Sequence, residues 1–130
     1  MSGKRIEIRW RDLDAYGHVN NAVYLTYAEE VLDAWIRERL SLPAGTVWDY
    51  VTARAAIDFR SELRQTDLEA VGTAALVRVG TKSVTVRVEL RSPDGRLAAE
   101  AEIVAVAIDR EDGGSRALHG EERAAFSRAG

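Results

Sequence analysis

The stretch "DLDAYGHVNNAVYLTYAEEVLDAW", Asp12 to Trp35, decides the fold. A short polar turn runs straight into a long segment of helical period. From Tyr24 to Leu40, Tyr24, Ala28, Val31 and Trp35, with Leu25, Leu32 and Ile36 beside them, recur at steps of three and four. Thr26, Glu29, Glu30, Asp33, Arg37 and Glu38 take the opposite side, so the pattern predicts an amphipathic helix with one buried stripe. "SLPAGT" ends it, because Pro43 disfavours helical geometry at the residue before it and Gly45 frees the turn. The turn ahead of the helix is the puzzle. A helix start needs one short polar side chain as its cap, yet Asp14, His18, Asn20 and Asn21 crowd together there.

Working outward, Arg5–Arg11 alternates, with Ile6, Ile8 and Trp10 on one face and Arg5, Glu7, Arg9 and Arg11 on the other, as a strand with one wet side does. Everything from Val47 to Asp109 reads as strands. Val51, Ala53, Ala55, Ile57 and Phe59 alternate with Thr52, Arg54, Ala56, Asp58 and Arg60. A second run covers Leu68 to Val79 and stops at "GTK". The third, Ser83 to Arg91, puts Val84, Val86, Val88 and Leu90 inside and Thr85, Arg87 and Glu89 outside. "SPDG" then makes a hairpin turn, and the last run, Leu97 to Ile108, is apolar on both faces near its end, as an inner strand is. "REDGGSR" reads as a solvated loop and "HGEERAAFSR" as a short terminal helix.

One helix followed by four strands, with a strand before it, predicts an α+β domain over residues 1–130: a five-stranded antiparallel sheet wrapped around one long central helix. Such a sheet has open edges, so a homodimer or homotetramer with paired edges is expected.

Composition narrows the function classes. The chain has 130 residues, 46% hydrophobic and 30% charged, the balance of a soluble domain with a real core. Its net charge of −3 argues against a nucleic-acid surface. With no cysteine, disulfides, thiolate metal sites and a cysteine nucleophile are excluded. His18 and His119 lie far apart and make no ligand-spaced pair, so no metal is expected. "MSGKRIEIRW" has no apolar signal core and no apolar run approaches the ~20 residues that span a bilayer, which leaves the cytoplasm as the expected location and no membrane partner.

Two readings of the polar turn compete. In the structural one, Asp14 makes an Asx-turn, Gly17 supplies a positive φ, Asn20 or Asn21 caps the helix and His18 is half-buried. In the functional one, the unpartnered N–H groups at the helix start polarise a carbonyl oxygen and Asp14 faces that carbonyl as base or nucleophile. That pairing suits acyl transfer without a serine or cysteine triad.

"RWRDLDAYGHVNNAVYLTYAEE" resembles the hot-dog-fold acyl-CoA thioesterases of the 4-hydroxybenzoyl-CoA thioesterase-like family. Their signature is an aspartate, a glycine three residues on, often His-Val-Asn-Asn, and an aromatic at the helix start. The likeness runs through "DFRSELRQTD" and "RVGTKSVTVRVEL" to "AEIVAVAIDR". It implies hydrolysis of a coenzyme A thioester, or of an acyl-carrier-protein thioester, without a cofactor. Asp14 takes the place of the catalytic carboxylate, the backbone N–H near Asn21 the oxyanion position, and His18, Gly17, Asn20 and Tyr24 the residues that line or brace the site. Plant acyl-carrier-protein thioesterases place an asparagine two residues after the aspartate, where this chain has Tyr16.

In "GTKS", Gly80 suits a turn and Lys82 a solvated surface, while the resemblance implies that Lys82 and Ser83 meet the phosphates of coenzyme A. Arg60 and Arg64 are weaker candidates. Glu29 and Glu30 fit a solvated helix face, with one of them a candidate for the acyl pocket. The rival readings are a hydratase or dehydratase on the same fold and an acyl-CoA binding module without catalysis.

Overall fold

The computed structural model describes residues 3–128. Its central element is helix α1, Asn21–Leu40, which starts where Asn20 leaves helical geometry and accepts a hydrogen bond from the Ala22 N–H at 2.9 Å. It ends at Ser41, a left-handed C-cap whose N–H returns to the Arg37 and Glu38 carbonyls. The stripe that the periodicity marks is buried: Tyr24, Ala28, Val31, Leu32, Trp35 and Ile36, joined by Tyr27.

That stripe lies on a sheet of β1 (Lys4–Glu7), β2 (Tyr50–Phe59), β3 (Glu69–Val79), β4 (Ser83–Arg91) and β5 (Leu97–Ala107). All neighbours are antiparallel, in the order β1-β3-β4-β5-β2. Val84, Val86, Val88 and Leu90 of β4 and Ala99, Ile103, Ala105 and Ala107 of β5 form the floor beneath the helix. Gly72 of β3 lets α1 approach closely, because a Cβ there would run into Val31 Cγ2. The last helix, α2 (Gly120–Ser127), closes the end of the core where α1 finishes.

Three expectations are corrected. The first strand stops at Glu7, and the chain turns through a short 3₁₀ segment at Trp10–Asp12, closed by the Arg9 N–H on the Asp12 carboxylate. Trp10 therefore points out of the core, 79% exposed. The alternation along β2 is broken by a bulge between Thr52 and Arg54. Ala55, Ile57 and Phe59 keep the phase of the inward residues of β5, but Tyr50 and Thr52, not Val51 and Ala53, share it in the first half of the strand. Thr85, on the outer face as read, is nonetheless buried between Arg78 and Val104 of the flanking strands, and its hydroxyl has no hydrogen-bond partner among the described residues.

At the closed end, Phe126 of α2 stacks on Trp35 at 5.6 Å and meets Trp48 edge-on at 5.3 Å. Buried Glu122 accepts the Trp48 indole N–H at 2.7 Å, the His119 N–H at 2.7 Å and both arms of Arg116 at 2.8 Å. Burial alone would raise the Glu122 carboxyl, but these donors, Arg116 first, outweigh it and hold the group down at about 2.

A folded-state value below the ordinary 4.5 means that the ionised Glu122 adds stability above that pH, lost as pH falls towards 2. Glu122→Gln is expected to lower the unfolding free energy by on the order of 3 kcal/mol at pH 7. In urea melts the gap between wild type and variant should shrink by more than half at pH 3. An unchanged gap would show that the clamp is not electrostatic.

Candidate active site

The polar turn is a miniature hairpin. Leu13 bridges Val19, the Asp14 N–H donates to the His18 carbonyl at 2.8 Å, and Gly17, at φ 78°, lets the tip close with its N–H on the Asp14 carbonyl at 3.1 Å. Asp14 Oδ1 accepts the Tyr16 N–H at 2.9 Å and the His18 N–H at 3.2 Å, which is the Asx-turn geometry. Among the described residues Asp14 Oδ2 accepts no hydrogen bond. The carboxylate is half-buried, with one oxygen spent on shaping the loop and one left over.

At the base of the hairpin the polar residues divide their tasks. The Asn20 N–H donates to the Asp12 carbonyl at 2.8 Å while the Asn20 side chain caps the helix. Asn21 is the first helical residue, and its N–H has no acceptor among the described residues. It points its partial positive charge along the helix axis, as a helix start does. Crowding in the sequence reflects this division: one residue shapes the turn, one caps, and one presents a free N–H.

Asp14, His18, Val19, Asn21, Tyr24, Phe59, Arg60, Ser61 and Glu62 line a cavity of about 270 Å³. The Tyr24 hydroxyl accepts the Leu63 N–H at 3.0 Å and its ring meets Phe59 edge-on at 5.3 Å, so the wall and the Ser61–Arg64 loop are held together. Burial pushes the Tyr24 phenol up, keeping it protonated at neutral pH. His18 Nε2 lies 3.2 Å from Glu62 Oε2, and the Val19 N–H donates to the Leu63 carbonyl at 2.8 Å. Arg60 is bound to Glu100 at 2.9 Å, with Asp58 at 3.7 Å; the Glu100 bond raises its guanidinium further.

Five of the residues named from the sequence, Asp14, His18, Asn21, Tyr24 and Arg60, thus line one cavity. Gly17 and Asn20 build the loop beside it without lining it. Lys82 and Ser83 lie elsewhere. Phe59 pairs with Ala99 near the start of β5, whereas Ser83 pairs with Val106 near its end, about 23 Å away at ~3.3 Å per residue. Lys82 Nζ there donates to Ser115 Oγ at 3.2 Å. Arg64 holds Glu62 at 3.1 Å, Glu29 accepts the Thr52 hydroxyl at 3.0 Å, and Glu30 faces solvent. Sequence reasoning missed Phe59 and Glu62 as neighbours of Asp14, and Asp12 as a buried carboxylate beneath it. Phe59 and Glu62 meet the loop from far along the chain, which no local pattern signals, while the burial of Asp12 follows from Tyr27 on the helix.

A residue at the helix start and a carboxylate that line one cavity are an arrangement that can polarise an acyl carbonyl and supply a base or nucleophile to it. Among the described residues no group of three or more His, Asp or Glu side chains could hold a metal ion, and no helix is long and apolar enough to cross a membrane.

The chain is similar to the long-chain acyl-CoA thioesterase FadM of Escherichia coli K12, with 30% identity over 121 residues and 92% of each chain covered. Its fold matches that of a thioesterase from Thermus thermophilus solved with coenzyme A and zinc, at TM-score 0.82, 27% identity and 98% coverage of both chains. A DHNA-CoA thioesterase from Staphylococcus aureus, 14% identical, shares the fold at TM-score 0.82 over 97% of this chain and 88% of its own. The family model of the thioesterase-like superfamily matches residues 8–127, nearly the whole chain, and the chain belongs to that superfamily, with the hot-dog fold its sheet and helix display.

Proposed function

We propose that this chain is an acyl-CoA thioesterase, hydrolysing an acyl-coenzyme A to the free acid and CoA, with Asp14 as the catalytic carboxylate. The observation behind this reading is the pairing of the half-buried Asp14 with the free Asn21 N–H on one cavity. The kinship to FadM, named as a long-chain acyl-CoA thioesterase, and to a thioesterase that holds coenzyme A supports it.

The thioester carbonyl oxygen points at the Asn21 N–H, where the helix start stabilises the negative charge that develops on attack. Asp14 Oδ2 takes a proton from a water whose oxygen adds to the carbonyl carbon, or adds to that carbon itself to form an anhydride that water then opens. Either way the C–S bond breaks, and the thiolate of CoA leaves and is protonated. His18 braces the hairpin through Glu62, with Gly17 and Asn20 shaping it. Tyr24 and Phe59 form the wall against which the acyl group lies.

The enzyme works in the cytoplasm as a homodimer, or as a homotetramer of two such dimers, with the chain as one catalytic domain and no cofactor. β2 is the long open edge of the sheet, with Val51 and Phe59 about half exposed. Two β2 edges paired antiparallel set Phe59 beside the partner's Tyr50. Three strand spacings of ~4.8 Å then bring the partner's Lys82 to about 15 Å from Phe59. That distance suits contact with the phosphates of a CoA whose thioester sits at Asp14, with Ser83 beside Lys82 and Arg60 lining the cavity.

Asp14→Asn keeps an oxygen for the Tyr16 and His18 N–H groups, so the loop and the melting temperature should survive. The rate should not: loss of a general base costs ~10²–10⁴ in kcat. A variant that melts like wild type and keeps more than a tenth of its kcat on acyl-CoA, less than ~1.4 kcal/mol of barrier, would reduce Asp14 to a turn residue.

Lys82→Ala is expected to raise KM more than it lowers kcat, since a phosphate contact remote from the reacting carbon binds ground and transition states alike. An unchanged KM would place the phosphates elsewhere. In sedimentation at micromolar concentration the chain should run as a dimer or tetramer. A monomer would end the proposal that β2 edges pair.

A further inference from the structure

We infer that Asp12, through the hydrogen bond it accepts from Tyr27, is a positioning residue that sets the Asp14 carboxylate against the helix start. The inference rests on the reading of Asp14 as the catalytic group. Asp12 is 5% exposed and Tyr27 fully buried, and neither lines the cavity, so neither touches substrate there. A helix cap does not need them, since Asn20 already supplies it.

The two arms of the hairpin are held differently. Its returning arm is tied to the loop beneath: Val19 donates to Leu63, His18 bridges Arg64, and His18 Nε2 meets Glu62. The outgoing arm, which bears Asp14, has no such tie to that loop among the described residues. It hangs on its own ladder to the returning arm and on Asp12. The Asp12 carbonyl accepts the Asn20 N–H at 2.8 Å, and Asp12 Oδ2 accepts the Tyr27 hydroxyl at 2.6 Å and the Arg9 N–H at 3.0 Å.

Tyr27 belongs to the second turn of α1, the helix whose first residue presents the free N–H. The Asp12–Tyr27 bond therefore closes a small ring of contacts. It runs from the helix body to Asp12, along the arm to Asp14, and back through the cap to Asn21. A short bond to an ionised acceptor is a strong one. Burial pushes the Asp12 carboxyl up, but the Tyr27 hydroxyl, the Arg9 N–H and the charges of Arg9 and Arg11 outweigh it and hold it below the usual range. Burial and that same bond raise the Tyr27 phenol. Near neutral pH the carboxylate accepts and the phenol donates, so the brace has one geometry.

Misplacing a catalytic group by about 1 Å can cost ~10²-fold, so a brace of this kind shows in kcat rather than in substrate binding. Steady-state kinetics on the best acyl-CoA substrate at 25 °C, with melting curves alongside, tests it. Tyr27→Phe and Asp12→Ala should each lower kcat by about tenfold or more with KM within about twofold, and the double variant should fall no further than the worse single one. Asp12→Asn retains an oxygen that can take both hydrogen bonds and should keep kcat within about threefold of wild type.

Glu122→Gln, at the opposite end of the core, serves as the control. It should melt lower without losing kcat, which separates positioning from general loss of stability. If Asp12→Ala does not fold, Tyr27→Phe, which removes a single hydroxyl, decides alone. A Tyr27→Phe enzyme within about twofold of wild-type kcat, beside an inactive Asp14→Asn, overturns the positioning role and leaves Asp14 catalytic. An Asp14→Asn enzyme as fast as wild type overturns both.

Discussion

Everything at the front of this molecule answers to the N-terminus of α1, whose first backbone N–H groups cannot be satisfied within the helix. Asn20 takes one of them and fixes where the helix begins. The Asn21 N–H has no acceptor among the described residues, and Asn21 lines the cavity. Leaving a donor unpaired is costly where water is excluded. It is tolerable at a cavity mouth, where water or a substrate carbonyl completes it. The hairpin ahead of the helix brings the Asp14 carboxylate to the same cavity.

Two anchors at opposite ends hold α1, and they differ in chemistry. At its C-terminal end, Trp35, Trp48 and Phe126 interlock around the Glu122–Arg116 pair, a buried and fully satisfied cluster that welds α2 to the core. At its N-terminal end the contacts are single hydrogen bonds: the Tyr27 hydroxyl and the Asn20 N–H donate to Asp12, and the Tyr24 hydroxyl accepts the Leu63 N–H. The packed aromatic anchor and the hydrogen-bonded cavity end thus lie at opposite ends of the same helix. Between the two anchors, Gly72 lets the helix settle closely on β3, where a Cβ would meet Val31.

The carboxylates near the cavity show how burial sorts like groups into unlike roles. Asp12 is enclosed, and its Oδ2 accepts both the Tyr27 hydroxyl and the Arg9 N–H. Asp14, two residues on, is half-exposed and has one oxygen with no donor among the described residues. Glu62 is drawn to His18 and Arg64 at the rim. Of the three, Asp14 and Glu62 line the cavity with Asn21, and Asp12 does not.

Sequence by itself determined whatever depends on period and local geometry. The valines of Ser83–Arg91 declared β4 in full, the three-and-four spacing declared α1, and the Asp14–Asn21 run marked a turn and cap whose residues share a cavity, because side-chain alternation and capping act over a few residues. Its length and phase were less secure where a local event intervened. A bulge at Thr52–Arg54 turned half of β2 over, and the 3₁₀ turn at Trp10–Asp12 sent an aromatic outward. A single extra residue changes the face of every side chain after it without leaving a mark in composition. Tertiary structure alone decided who meets whom: Tyr27 with Asp12, Glu62 with His18, Phe59 with Tyr24, and Lys82 at the far end of the sheet from Asp14. Those pairings follow from the strand order β1-β3-β4-β5-β2 and the helix crossing it, and contacts between residues so distant in sequence are set by packing the whole core, not by any stretch of it.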